Sequence, residues 1–181
     1  MIPTLETERL WLRPLEAADA ERLFHIFSDM DVLRHYGMEP HVSIEETEQM
    51  VASMLEGMRT GAVIRWGIVR KDGPGVIGTI GFHNRAPRHR RAEVGYELHP
   101  SYWRNGYATE ALQAALTYAT HTAEIERVGA VVYTENVASQ RMLEQNGFCR
   151  EGLLRRYMRQ GEQVHDVYMY GYTDEKQDHE A

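Results

Sequence analysis

Cysteine is nearly absent: Cys149 is the only one in 181 residues, which excludes an intrachain disulfide and any cysteine-rich zinc site. No apolar run approaches the about 20 residues that a membrane-spanning helix needs. Met1-Ile2-Pro3-Thr4-Leu5-Glu6 lacks a signal-peptide layout, so a soluble, cytoplasmic protein with no membrane partner is expected. Positive charge is short as well. Lys and Arg total 20 against 27 Asp and Glu, a net charge of −7, so nucleic acid is not an expected partner and a cationic one is better suited. Nine histidines are present, yet no pair has H-E-x-x-H or comparable helical ligand spacing, and no metal is expected. Internal repeats, low-complexity tracts and interdomain linkers are missing too. A chain that is 43% hydrophobic and 26% charged reads as one ordinary globular domain, expected over residues 1–173 with a polar tail over 174–181.

Hydrophobic period then orders the chain. Arg9 to Arg13 alternates as a short strand ended by Pro14. Ala20, Leu23, Phe24 and Phe27 mark one helix face, and Asp29-Met30-Asp31 and Gly37 to Pro40 read as loops. Ser43 and Glu46 have capping-box spacing before a second helix with the stripe Ile44, Thr47, Val51, Met54, Leu55 and Met58, ended by Gly61. Val63 to Val69 and Val76 to Phe82 form a hairpin across Lys71 to Gly75. A third strand follows at Ala92 to Leu98, then a long helix through Ala108, Ala111, Leu112, Ala115 and Ala119. Val128 to Thr134 is a strand and Asn136 to Asn146 a helix. Phe148 to Arg159 and Gln163 to Tyr172 close the pattern. The order gives a mixed α/β domain.

Three stretches bear on chemistry. Gly73-Pro74-Gly75-Val76-Ile77-Gly78 matches G-x-G-x-x-G, but it lies in a hairpin with strand-like residues after it, so it is a turn and no nucleotide site. Tyr102-Trp103-Arg104-Asn105-Gly106-Tyr107-Ala108-Thr109-Glu110-Ala111 opens the long helix. Helix N-termini leave N–H groups unpaired and carry the positive end of the dipole, which seats phosphate oxygens. Gly106 admits φ > 0 and close approach, and Arg104 adds a forked cation, although taken alone a glycine before a helix is more often simple punctuation. Asn136-Val137-Ala138-Ser139 enters the next helix. Capping explains Asn136 and Ser139, and Asn136 can also offer an amide to an amide-bearing ligand.

Together with Glu8 to Pro14, Ala92 to Pro100, Gln145-Asn146-Gly147-Phe148, Glu151-Gly152 and His165-Asp166, these stretches resemble the GNAT superfamily of acyl-CoA-dependent N-acetyltransferases. The nearest flavour is the RimJ/RimL-like group that acetylates protein N-termini. Trp103 stands where the usual pyrophosphate motif has Gln or Arg, and Arg104 where the group often has glycine; neither removes a backbone donor. Met158 stands near a glutamate base of some RimL-like members, so that role does not transfer.

The resemblance implies a mostly antiparallel seven-stranded sheet flanked by about four helices, with a splayed central strand pair. Acetyl-CoA would be the co-substrate. Its pantetheine would pair with the backbone of Tyr96 and Leu98 in the splay, and its pyrophosphate would end on Arg104, Asn105, Gly106, Tyr107, Ala108 and Thr109. Asn136 would hold the pantetheine arm, and Ser139 would approach the sulfur. Glu93 would be the base, directly or through water, with Ser139 or a nearby tyrosine serving the departing thiolate. Glu93 could equally be a surface carboxylate paired with Arg91 or Arg90. Direct attack by a primary amine in a ternary complex is expected rather than an acyl-enzyme on Cys149. The expected acceptor is a protein N-terminal amine; a polyamine, an aminoglycoside or a non-catalytic acyl-CoA sensor are the competing readings. The basic run Arg85 to Arg91 is expected to be a solvated loop. A homodimer is compatible with the sequence, although no stripe marks an interface.

Overall fold

In the computed structural model, which describes residues 2–174, the period-two segments become strands of one sheet and the amphipathic segments become helices on its faces. The strands are β1 (Leu5–Glu6), β2 (Leu10–Pro14), β3 (Ile64–Arg70), β4 (Val76–Ala86), β5 (Arg91–Leu98), β6 (Arg127–Tyr133), β7 (Cys149–Gln160) and β8 (Gln163–Thr173). The helices are α1 (Ala20–Phe27), α2 (Met30–Leu33), α3 (Ile44–Thr60), α4 (Tyr107–His121) and α5 (Val137–Gln145). Eight strands and five helices thus replace the expected seven and four. The additions, β1 and α2, are the shortest elements. The loop expected at Asp29 to Asp31 is instead the entry to α2, because the Asp29 carboxylate accepts from the N–H groups of Asp31 (2.8 Å) and Val32 (3.3 Å). Apart from Asp174, the expected polar tail lies outside the described residues.

The strand order is β1-β2-β3-β4-β5-β6-β8-β7. Every neighbouring pair is antiparallel except β5 and β6. That parallel pair is short: Arg91, Ala92 and Glu93 register with Arg127, Val128 and Gly129, and beyond them the strands part. The expected splay is present, with its apex at Glu93 and Gly129.

Alternation gives the sheet two faces. Leu10, Leu12, Trp66, Ile80, Phe82, Val94 and Val128 bury against Leu112, Ala115 and Ala119 of α4 and Leu143 of α5. Each fully buried Leu, Ile or Phe stabilises by about 1.5–3 kcal/mol relative to exposure. Leu23, Ile26 and Phe27 of α1, Leu33 of α2 and Val51 of α3 form a second cluster on the opposite face. Within the α3 stripe, Thr47 and Val51 are buried, and Gly61 ends the helix at φ 78°. The expected capping box at its start is not made: Glu46 accepts from the N–H of Val42 (2.8 Å), one residue before Ser43, and the Ser43 hydroxyl makes no cap bond. The G-x-G-x-x-G stretch lies in the β3–β4 hairpin, as expected.

Candidate active site

The chain reaches α4 through two left-handed residues, Arg104 at φ 60° and Gly106 at φ 78°. Among the described residues, none of the backbone N–H groups from Arg104 to Thr109 has an acceptor. The turn is held from behind by Arg9, whose guanidinium donates to the Asn105 carbonyl (2.9 Å) and lies 4.6 Å from the centre of the Tyr107 ring. Carbonyl and N–H point opposite ways across a trans peptide, so fixing the Asn105 carbonyl toward Arg9 turns the Gly106 N–H away from it. Arg9 is fixed in turn by Glu110, which accepts from its Nε (2.7 Å) and backbone N–H (2.7 Å) and from the Thr7 hydroxyl (2.6 Å). Burial disfavours the Glu110 charge, but Thr7 and Arg9 outweigh it and hold the carboxyl below its ordinary range. Trp103 braces the same turn by donating its indole N–H to the Leu98 carbonyl (2.8 Å).

The open edge of β5 faces the splay. The His99 N–H bonds the Ile77 carbonyl on the β4 side, so strand alternation turns the main chain of Tyr96 and Leu98 toward β6. There β6 has already diverged. Except for the Leu98 carbonyl taken by Trp103, these groups have no ladder partner. Side chains span the gap: the Tyr96 and Ser139 hydroxyls are 2.5 Å apart. Burial pushes the Tyr96 phenol up to about 12, against the opposing effect of Ser139. It is therefore protonated at neutral pH and can donate. Asn136 caps α5 by accepting from the Ser139 N–H (3.2 Å); its own amide N–H groups have no partner among the described residues.

The other sheet face carries the titratable groups. Glu93 sits at the apex with 16% of its side chain exposed, accepts from the Asn84 amide (3.2 Å), and is 3.8 Å from His83 Nε2. Among the described residues the alternative pairing with Arg91 or Arg90 is not made, and Arg90 bonds Glu126 instead. Beside it, Arg65, Gly81 and Gly95 form one row across β3, β4 and β5. A Cβ on Gly81 would lie 2.8 Å from Arg65 Cδ, so the bare backbone lets this arginine lie flat. It reaches Glu97 (2.6 Å), the Thr79 hydroxyl (2.7 Å) and the Gly95 carbonyl (3.1 Å). Tyr36 donates to Glu97 (2.6 Å). Burial opposes the Arg65 charge, but Glu97 and Tyr36 outweigh it and raise its pKa; burial also raises Tyr36. This network, with side chains of Arg65 and Glu97 only 6% and 1% exposed, was not singled out from the sequence. Glycines facing each other beside a strand arginine were the available signal.

A second unanticipated group is the clasp at Gln160. Its amide donates to the carbonyls of Leu33 (2.8 Å) and Met38 (2.9 Å), and its carbonyl accepts from the Tyr133 hydroxyl (3.1 Å). It pins the segment after α2 above Tyr133, which stacks on His165. Cys149 is exposed and registers with Gly171, level with Gly129 and two strands away from it. The basic run is not a free loop: β4 continues to Ala86, one 3-10 turn spans Pro87–His89, and Arg85 bonds the Gly61 carbonyl. Among the described residues no cluster of three His, Cys, Asp or Glu could hold a metal, and no helix is long and apolar enough to cross a membrane.

Residues 9–149 match the family described as the acetyltransferase (GNAT) domain. The uncharacterized N-acetyltransferase YoaA of Bacillus subtilis is 45% identical over 170 residues, covering 94% of this chain and 96% of its own. The ribosomal-protein-serine acetyltransferase of Escherichia coli is 32% identical over 93 residues, covering 51% of this chain and 50% of its own. Among solved structures, RimL, a ribosomal L7/L12 alpha-N-protein acetyltransferase in complex with coenzyme A, superposes with a TM-score of 0.86 at 23% identity, covering 94% of this chain and 98% of its own. That likeness is one of fold.

Proposed function

The chain belongs to the GNAT acetyltransferase family, and from that premise we propose that this acyltransferase moves the acetyl group of acetyl-CoA onto the N-terminal amine of a protein. The observation that carries the reading is the splay: a strand edge without a ladder partner at Tyr96 and Leu98, leading to the unpaired N–H groups of Arg104 to Thr109. A pantetheine arm is a chain of amides, and an open strand edge takes such a chain as it would take another strand. The pyrophosphate then falls at the α4 N-terminus, where dipole and N–H groups favour anions.

Chemistry follows from the two sheet faces. The acceptor amine approaches on the face of Glu93, where carboxylate and neighbours remove its proton. Attack on the thioester carbonyl occurs directly in the ternary complex, with main-chain N–H of the β5 edge polarising the carbonyl oxygen. The C–S bond breaks and the sulfur takes a proton through the Tyr96–Ser139 hydroxyl pair. Asn136 offers its free amide N–H to the pantetheine arm. The catalytic domain spans residues 1–173 and works in the cytoplasm.

A peptide N-terminus is preferred as acceptor because a ribosomal-protein-serine acetyltransferase aligns with half of this chain at 32% identity, and an alpha-N-protein acetyltransferase shares its fold. The test is CoA release from acetyl-CoA against a panel of N-terminal peptides, polyamines and aminoglycosides. Turnover with peptides above the other amines is expected. Turnover with polyamines or aminoglycosides alone would replace the acceptor, and tight CoA binding with no turnover would replace the enzyme by a sensor.

A further inference from the structure

The mechanism above leaves one titratable side chain at the apex without a task. His83 is on β4, paired across the strand with Glu93 on β5. Its diagonal neighbour is Gly95, and a Cβ there would lie 3.1 Å from His83 Cε1. The missing side chain lets the imidazole lie across β5, toward the side on which β6 splays away. Its Nε2 is 3.8 Å from the Glu93 carboxylate, and 43% of the side chain remains exposed. One edge of the ring is thus braced by protein and another is open to the acceptor side.

We propose that the base at Glu93 works through its neighbour: His83 takes the proton of the acceptor ammonium, and Glu93 is the charge partner of the imidazolium that forms. The step rests on the transferase reading given above. The ammonium N–H bond breaks and the proton goes to His83 Nε2, leaving a neutral amine whose lone pair forms the C–N bond at the thioester carbonyl. The C–S bond breaks with its electron pair on sulfur. A second amine proton passes to that sulfur through the Ser139 and Tyr96 hydroxyls, the third stays on the amide nitrogen, and His83 returns its own proton to water at its exposed edge. One acetyl group moves and one proton is released.

The surroundings suit a base that must be neutral before reaction. Burial lowers the His83 pKa, and the Arg65 guanidinium from β3 lowers it further, against Glu93 and Glu97 from β5. Tyr36, from the segment after α2, faces the same cluster as a protonated phenol, and Asn84 adds a neutral amide. The imidazole is consequently free to accept at neutral pH, and the adjacent carboxylate stabilises the cation as it forms.

The experiment combines kinetics with imidazole NMR on the wild type. His83→Gln is expected to lower kcat about 10²-fold with CoA affinity unchanged by calorimetry, and to abolish the acidic limb of kcat/KM. In the wild type, the His83 ring should titrate below the ordinary value of about 6.5, at the same pH as that limb, and Glu93→Gln should move the titration lower. An active wild type whose kcat and acidic limb survive His83→Gln would overturn the proposal alone. So would a His83 titration at or above the ordinary value, or one that does not coincide with the limb, and both are readable even if the variant does not fold. A wild type silent on every amine would overturn the transferase reading and this proposal together.

Discussion

Arg104 sits at φ 60° where a glycine would be unstrained. A left-handed conformation costs a residue with a Cβ about 1–2 kcal/mol, and glycine recovers part of that while adding freedom to the unfolded chain. Arg104→Gly should therefore raise the unfolding free energy slightly, by up to about 1 kcal/mol, while weakening CoA binding through loss of one cation; a clear loss of stability would show that the arginine side chain, not the backbone, holds the turn. Histidines supply a second test at this scale. Burial depresses both His35 and His83. In the unfolded chain they bind protons from about pH 6.5 downward, whereas in the folded state they resist, so stability is fully present above that pH and falls as the pH drops below it. Urea midpoints measured from pH 7.5 to 5 should fall, and the fall should shrink in a His35→Gln, His83→Gln double variant.

At the scale of elements, the proposed phosphate seat at α4 is a turn whose conformation is fixed by φ more than by contact. A Cβ at Gly106 would meet only Arg9 Nη2, at 3.3 Å, but φ is 78°. Gly106→Val should weaken CoA binding at least tenfold, about 1.4 kcal/mol, because a β-branched residue resists this φ and re-aims the N–H groups; calorimetry with unchanged affinity would displace the phosphate seat. This element was legible because small residues before a strong helical period are a local pattern. The splay was legible only through family resemblance: nothing in Ala92 to Leu98 or Val128 to Thr134 states that pairing stops after three residues. β1 and α2 were missed because two and four residues are too few to establish a period. Arg65, Glu97 and Gln160 escaped for another reason. Their partners lie on elements far away in sequence, and an arginine within alternating apolar residues ordinarily points to water.

For the whole molecule, the buried pair is the point of greatest leverage. Glu97→Ala would strand the Arg65 charge in the sheet, a change that costs about 3–5 kcal/mol in buried pairs. Thermal unfolding should show a large drop, recovered in part by a second substitution, Arg65→Met, which removes the orphaned charge. The sheet around that pair is nearly two sheets. Between β1–β5 with α4 and β6–β8 with α5, the ties include three parallel residue pairs, the Arg90–Glu126 and Gln113–Asn146 bonds, the Gln160 clasp, the Tyr96–Ser139 bond and the shared core. Such a seam makes the molecule a candidate for fragment complementation. Cut in the 122–126 connection, the chain yields two pieces that each keep their own antiparallel strands. Because the proposed cofactor site borrows surface from both, acetyl-CoA should act as a molecular glue, reassembling the pieces at concentrations where they otherwise remain apart.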